Sequence, residues 1–95
     1  MKIPKKIKIL GMVFDIKIEK DCRAEDNSIC AAYIQRDYGV IVLEEGLHPD
    51  RMGQALFHEI LHAVDIRGEL DEEQTDQFAH SLYQVFKDNK LLKDA

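Results

Sequence analysis

The sequence predicts an α+β fold, with a small, mostly antiparallel sheet in the first half and two packed helices in the second. Three observations predict it. Apolar and polar residues alternate at a period of two up to residue 19, as in a strand with one covered face. Two later runs recur at the helical period. Helix start signals stand before both of those runs. At 95 residues there is room for one domain, and residues 1–95 are read as a single unit.

Strands are expected between about residues 6 and 44. Ile7 and Ile9 alternate with Lys6 and Lys8. After Leu10-Gly11, Phe14, Ile16 and Ile18 alternate with Asp15, Lys17 and Glu19. Asp21 to Ser28 is polar and reads as a loop. Ala31–Gln35 and Val40–Leu43 are β-prone, and Arg36-Asp37-Tyr38-Gly39 between them reads as a hairpin turn in which Gly39 takes a positive φ. His48-Pro49-Asp50 then opens a helix over about residues 50–66, because proline and an acid both suit a first turn. Gly68 is a plausible stop. A second helix is expected over about residues 71–88, capped by Asp71 with Gln74 three positions on. Its stripe of Thr75, Phe78, Ala79, Leu82, Val85 and Phe86 should face inward. The tail from Lys90 to Ala95 is expected to fray.

Composition narrows the function classes. Hydrophobic residues make up 45% and charged residues 33%, the balance of an ordinary globular chain. No apolar run approaches the ~20 residues that a membrane helix needs. The basic start is broken by lysines and lacks the apolar stretch of a signal peptide. A net charge of −5 and a pI near 5.3 argue against nucleic acid as the partner. The first twenty residues hold six lysines against Asp15 and Glu19. These lysines alternate with isoleucines, so the reading is a solvated strand face rather than a basic arm. Cys22 and Cys30 form no CxxC pair, and two free thiols in a reducing cytoplasm are the expectation.

Chemistry enters at His58-Glu59-Ile60-Leu61-His62, an HExxH motif. On a helix, positions i and i+4 share a face one turn apart, so both imidazoles can converge on one zinc ion. Glu59 is rotated about 100° from His58. It can therefore reach a water at the metal without ligating, and it is the candidate general base. The rival reading, two core histidines satisfied by hydrogen bonds, fits less well inside a helix that is apolar on several faces.

A catalytic zinc site needs a third protein ligand and keeps its fourth position open. The second helix supplies candidates in Glu72-Glu73-Gln74-Thr75-Asp76-Gln77-Phe78-Ala79, which can be read as E-x-x-T-D-x-F-A. Here the sequence resembles the gluzincins, zinc peptidases whose third ligand is a glutamate. It also resembles the ImmA/IrrE-like metallopeptidases common in bacteria and their phages. The resemblance covers about residues 50–86 and implies a zincin-like minimal fold. It implies Zn2+ held by His58, His62 and Glu72, with Asp76 orienting the first histidine. It further implies a cytoplasmic endopeptidase with a narrow protein substrate, such as a regulator. An antiparallel turn about Arg67-Gly68 agrees, since it brings residue 72 opposite His62 and residue 76 opposite His58. On the predicted stripe Glu72 faces inward, and Glu73 falls on a more polar row, as the alternative ligand.

Only nine residues separate His62 from Glu72, a shorter connection than in larger gluzincins, so the cleft should be shallow. Those relatives add a tyrosine or histidine that stabilises the oxyanion. Tyr33, Tyr38, His48 and His80 are the candidates here. A sheet-edge strand would align an extended peptide by backbone pairing, and Ala31–Gln35 is the expected edge. The expected partner is a peptide or protein substrate, with no nucleic acid and no membrane. The alternative function is a non-catalytic binding or regulatory module stapled by zinc, with Cys22 or Cys30 as a fourth ligand.

Overall fold

In a computed structural model of the chain, the alternating first half forms four strands: β1 (Lys6–Ile9), β2 (Met12–Glu19), β3 (Ala32–Gln35) and β4 (Val40–Glu44). Two helices follow, α1 (Pro49–Val64) and α2 (Glu72–Asp88). The structure describes residues 2–23 and 26–91. Ala24 and Glu25 of the predicted loop, and residues 92–95 of the predicted tail, lie outside the described residues.

Leu10 and Gly11 join β1 to β2 with φ of 50° and 84°, the positive values a two-residue hairpin turn demands. A short 3-10 turn over Arg36–Tyr38 joins β3 to β4, and Gly39 ends it at a φ of 65°. A Cβ there would meet the carbonyl oxygen of Val13 at 2.8 Å, so the position is reserved for glycine by sterics as well as by φ.

The strand order is β1-β2-β4-β3. β1·β2 and β3·β4 pair antiparallel, but β2·β4 pair parallel, with Asp15 opposite Val40 and Ile18 opposite Leu43. The sheet is thus mixed, and the mostly antiparallel arrangement expected from sequence is corrected. The cause is the path of the chain. After β2 it passes beyond the neighbouring slot to lay β3 at the edge. The turn at Gly39 then sends β4 back into the gap.

β4 accordingly has both faces covered, and Ile41, Val42 and Leu43 are all buried. A central strand of that kind reads as a continuous apolar run. The main core lies between the sheet and α1, where Phe14, Ile16, Ile41 and Leu43 meet Ala55, Leu56 and Ala63. Ile18, expected on the same covered face, is exposed, as β2 runs past the helix that covers Phe14 and Ile16.

α1 begins as its start signal predicts. The Nδ1 of His48 accepts from the backbone N–H of Asp50 at 3.1 Å, and Pro49 occupies the first turn. The helix ends at Val64, two residues before the expected boundary. Asp65 takes over there, its carboxylate accepting from the backbone N–H groups of Glu69 and Leu70. α2 opens with a capping box. Asp71 accepts from the Gln74 N–H at 2.7 Å, and the Gln74 side chain accepts from the Asp71 N–H at 3.1 Å.

The inward stripe of α2 is narrower than expected. Thr75, Ala79 and Tyr83 are buried, whereas Phe78, Leu82 and Val85 are exposed. α2 rests chiefly on α1, and one helix covers one row of another. Tyr83 carries much of that contact. Its ring lies so close to α1 that a Cβ on Gly53 would fall 2.2 Å from it. Phe57 packs edge-to-face on both Tyr83 and Phe86, with centroids 5.8 and 5.6 Å away. Among the described residues, no helix is long and apolar enough to cross a membrane.

Candidate metal centre

The i,i+4 spacing does on α1 what helix geometry requires. His58 and His62 point the same way, with their Nε2 atoms 3.0 Å apart. Glu72, in the first turn of α2, closes the group. Its Oε1 lies 2.8 Å from His62 Nε2 and its Oε2 lies 3.2 Å from His58 Nε2. One donor atom from each of the three falls within 4.8 Å of the others. Two imidazole nitrogens and a carboxylate oxygen are a donor set that suits zinc, so the three residues can hold a metal.

The short connection fixes this meeting. Asp65 ties down the start of the loop and the capping box sets the first turn of α2. Glu72 is thereby placed opposite His62, and Asp76, one turn later, opposite His58. Asp76 Oδ1 lies 3.1 Å from His58 Nδ1. In the tautomer this favours, Nδ1–H donates to the carboxylate and Nε2 keeps its lone pair free for a cation. Glu73 is not in the donor group. The expectation that Glu72 faces inward is corrected, because its side chain is 75% exposed. The buried row of α2 begins at Thr75, so Glu72 stands at the rim and reaches back to the histidines from the solvent side.

Glu59 presents the opposite case. It is 5% exposed, on the face of α1 turned to the sheet, and its Oε2 has no hydrogen-bond partner among the described residues. A buried carboxylate oxygen left unmatched costs about 1–3 kcal/mol or more. Burial pushes its pKa up to about 7; the proximity of His58 opposes that rise and Glu72 adds to it. A cation at the histidines would pull the value down again by direct attraction.

Two cavities meet over Glu59. One, of about 180 Å³, is lined by Ala31, Ala32, Arg51, Ala55, His58, Glu59 and Asp76. The other, of about 480 Å³, is lined by Ala32, Tyr33, Ile34, Arg36, His58, Glu59, His62 and Glu72. Together they form an open cleft between α1 and β3. As the sequence suggests, β3 is an edge of the sheet, paired with β4 alone among the described strands. Its far side borders the cleft.

The four oxyanion candidates separate. Tyr33 lines the larger cavity, while Tyr38, His48 and His80 line neither. Burial, followed by the negative charge of Glu19, raises the Tyr33 hydroxyl above its ordinary pKa. His48 is committed to the N-cap of α1. His80 Nε2 lies 3.6 Å from Asp76 Oδ1, behind the donor group. Two residues that sequence reasoning missed also line the cleft. Arg36 lines the larger cavity and donates from Nη2 to the backbone carbonyl of His62. Arg51 lines the smaller one. Arg51, Ala55, His58 and His62 follow the helical i, i+4, i+7, i+11 series, a signal that could have found Arg51. No spacing pointed to Arg36. No family model matches the chain, and no curated protein and no solved structure matches it either.

Proposed function

We propose that this chain is a zinc-dependent peptidase with His58, His62 and Glu72 as ligands and Glu59 as general base. The observation that carries the reading is the unpartnered, buried Oε2 of Glu59 beside a ready donor set, in a cleft open to solvent. A carboxylate oxygen left unmatched at the floor of such a cleft is poised for a proton that arrives during reaction. Held by His58, His62 and Glu72, zinc would supply a water of lowered pKa and would polarise the scissile carbonyl.

The chain's own residues do the rest. Glu59 Oε2 accepts the proton of the attacking water and returns it to the leaving amine. Asp76 holds His58 in one tautomer and one orientation through Nδ1. Arg36 ties the hairpin turn to the carbonyl of His62, linking the end of the edge strand to the helix that carries the histidines. The free backbone edge of β3 aligns an extended peptide across the cleft by strand pairing. The shallow groove suits a single extended segment, consistent with an endopeptidase acting on one exposed stretch of a protein substrate.

The test is Glu59→Gln, read by zinc content and by turnover of a fluorogenic peptide library. The variant should keep the zinc of the parent and lose about 10²–10⁴-fold in turnover, the contribution typical of a general base. Equal turnover by the variant and the parent would overturn the assignment. Zinc closed off by a cysteine would instead favour the non-catalytic, zinc-stapled module.

A further inference from the structure

Between β2 and β3 two short limbs of the chain run antiparallel. Arg23 and Ile29 form an antiparallel bridge. Cys22 and Cys30 are the next pair along that ladder, directly opposite each other. The backbone N–H of Cys30 donates to the carbonyl of Cys22 at 3.2 Å. Residues opposed in this way lie roughly 4.5–5.5 Å apart at Cα, inside the roughly 4.4–6.8 Å that a disulfide spans. The side chains meet as well, with the two sulfurs 3.2 Å apart. A bond of about 2.05 Å needs a closing movement of only about 1 Å.

We propose that Cys22 and Cys30 are a dithiol that closes to an intramolecular disulfide on meeting an oxidised low-molecular-weight disulfide, bracing the turn that leads into β3. The roles of the two sulfurs differ. Cys30 is half-buried and within reach of a reagent, whereas Cys22 is 2% exposed. The Cys30 thiolate attacks one sulfur of oxidised glutathione and expels one glutathione thiolate. The Cys22 thiol then gives its proton to solvent, and its sulfur attacks that of Cys30. The Cys22–Cys30 bond forms and the second glutathione thiolate leaves. Two protein thiols are oxidised and one glutathione disulfide is reduced to two thiols. Burial, and after it the neighbouring Cys30, raise the pKa of Cys22 to about 12, which keeps this thiol protonated and makes its attack the slower of the two steps.

The brace has a defined consequence. The limb that bears Cys22 is held to β4, because the Glu44 carboxylate accepts from the N–H groups of Asp21 and Cys22 at 3.1 and 2.7 Å. The limb that bears Cys30 runs directly into Ala31 and Ala32, which line the cleft. Closure therefore adds a covalent tie at the start of an edge strand that β4 otherwise holds by hydrogen bonds alone. This inference does not depend on the peptidase reading.

The experiment is a redox titration of the full chain across a series of reduced-to-oxidised glutathione ratios. It is read by intact mass, alkylation of free thiols and thermal melting, in native buffer and in urea. In native buffer a species lighter by two hydrogens, with neither cysteine alkylated, should replace the dithiol. Native structure should favour closure over the urea-unfolded chain on the order of 10–100-fold, and Tm should rise by about 10 °C, as expected for a loop this short. Cys30→Ser should abolish the crosslink and leave Cys22 slow to alkylate. A stable glutathione adduct on Cys30 with no closure, or closure no more favourable in native buffer than in urea, would overturn the proposal.

Discussion

Glu59 on α1 and Glu72 on α2 line one cavity with His58 and His62, in opposite surroundings. α1 lies between the sheet and α2, and Gly53, Ala55, Leu56, Glu59 and Ala63 are all buried along it. α2 is covered on one row alone, by α1, and Glu72 stands in its first turn, largely in water. The enclosed helix supplies two imidazoles one turn apart and a buried carboxylate, on a backbone packed from two sides. The exposed helix supplies a charged oxygen at little desolvation cost, on a side chain free to adjust. On the zinc reading, a rigid pair with one adaptable member would let the site accept a cation without first breaking a buried ion pair, whose desolvation is expensive.

The comparison breaks most visibly at its exposed member. Glu72→Gln should weaken zinc binding by about a hundredfold or more, beyond the ~10–100-fold typical of a residue that only orients a ligand. Glu73→Gln should leave zinc binding at the parent level. Competition against a chelating dye measures both, and equal losses would show that α2 meets the histidines in another register.

A smaller effect tests the seam between the helices. Gly53→Ala places a Cβ 2.2 Å from the Tyr83 ring, and overpacking of this kind costs about 1–3 kcal/mol. Tm should fall by about 4–8 °C for each kcal/mol lost. An unchanged Tm would mean that α2 shifts aside freely, and its grip on Glu72 would then be looser than the distances imply.

The smallest effect lies at the far end of the same seam. The Lys87 ammonium and the Tyr83 hydroxyl both donate to Asp50, holding its carboxyl below the ordinary carboxylate range, with Lys87 the larger cause. A lowered folded-state pKa stabilises above the unfolded value, and the benefit disappears as pH falls through the folded one. Asp50→Asn should therefore flatten the acid limb of the stability profile, read from urea melts between neutral and acid pH. An acid limb as steep as the parent's would show that Asp50 contributes nothing to the seam.

Much of this was legible in the residues. Whereas the edge position expected for Ala31–Gln35 comes from the way a peptide would have to lie beside the helix, the His58/His62 spacing, the capping box of Asp71 and Gln74 and the turn at Gly39 each follow from local chemistry. The fold as a whole was read as α+β for the same reason. The parallel pairing of β2 with β4 was not legible, because alternation says which face is covered and not which strand lies alongside. The exposure of Phe78, Leu82 and Val85 was missed because an apolar stripe records what could be buried, while the neighbour decides how much is. Tyr83 was missed by the converse error, since its partner is the space above Gly53 rather than any pattern in α2. Cys22 and Cys30 meet through a ladder that the sequence marks only as a polar loop.

The place of β4 also bears on how the chain assembles. β4 is the last strand made, yet it occupies the second slot from one edge, between β2 and β3. The pairs β1–β2 and β3–β4 are local hairpins, which close in roughly 1–10 μs. The β2–β4 pairing joins segments separated by the whole Cys22–Cys30 turn and β3, and parallel, non-local pairings form slowly. Assembly should thus be the docking of two preformed hairpins along a single parallel seam. Ile16, Ile41 and Leu43 meet at that seam, and its closure presents the apolar bed on which the helix bearing His58 and His62 condenses.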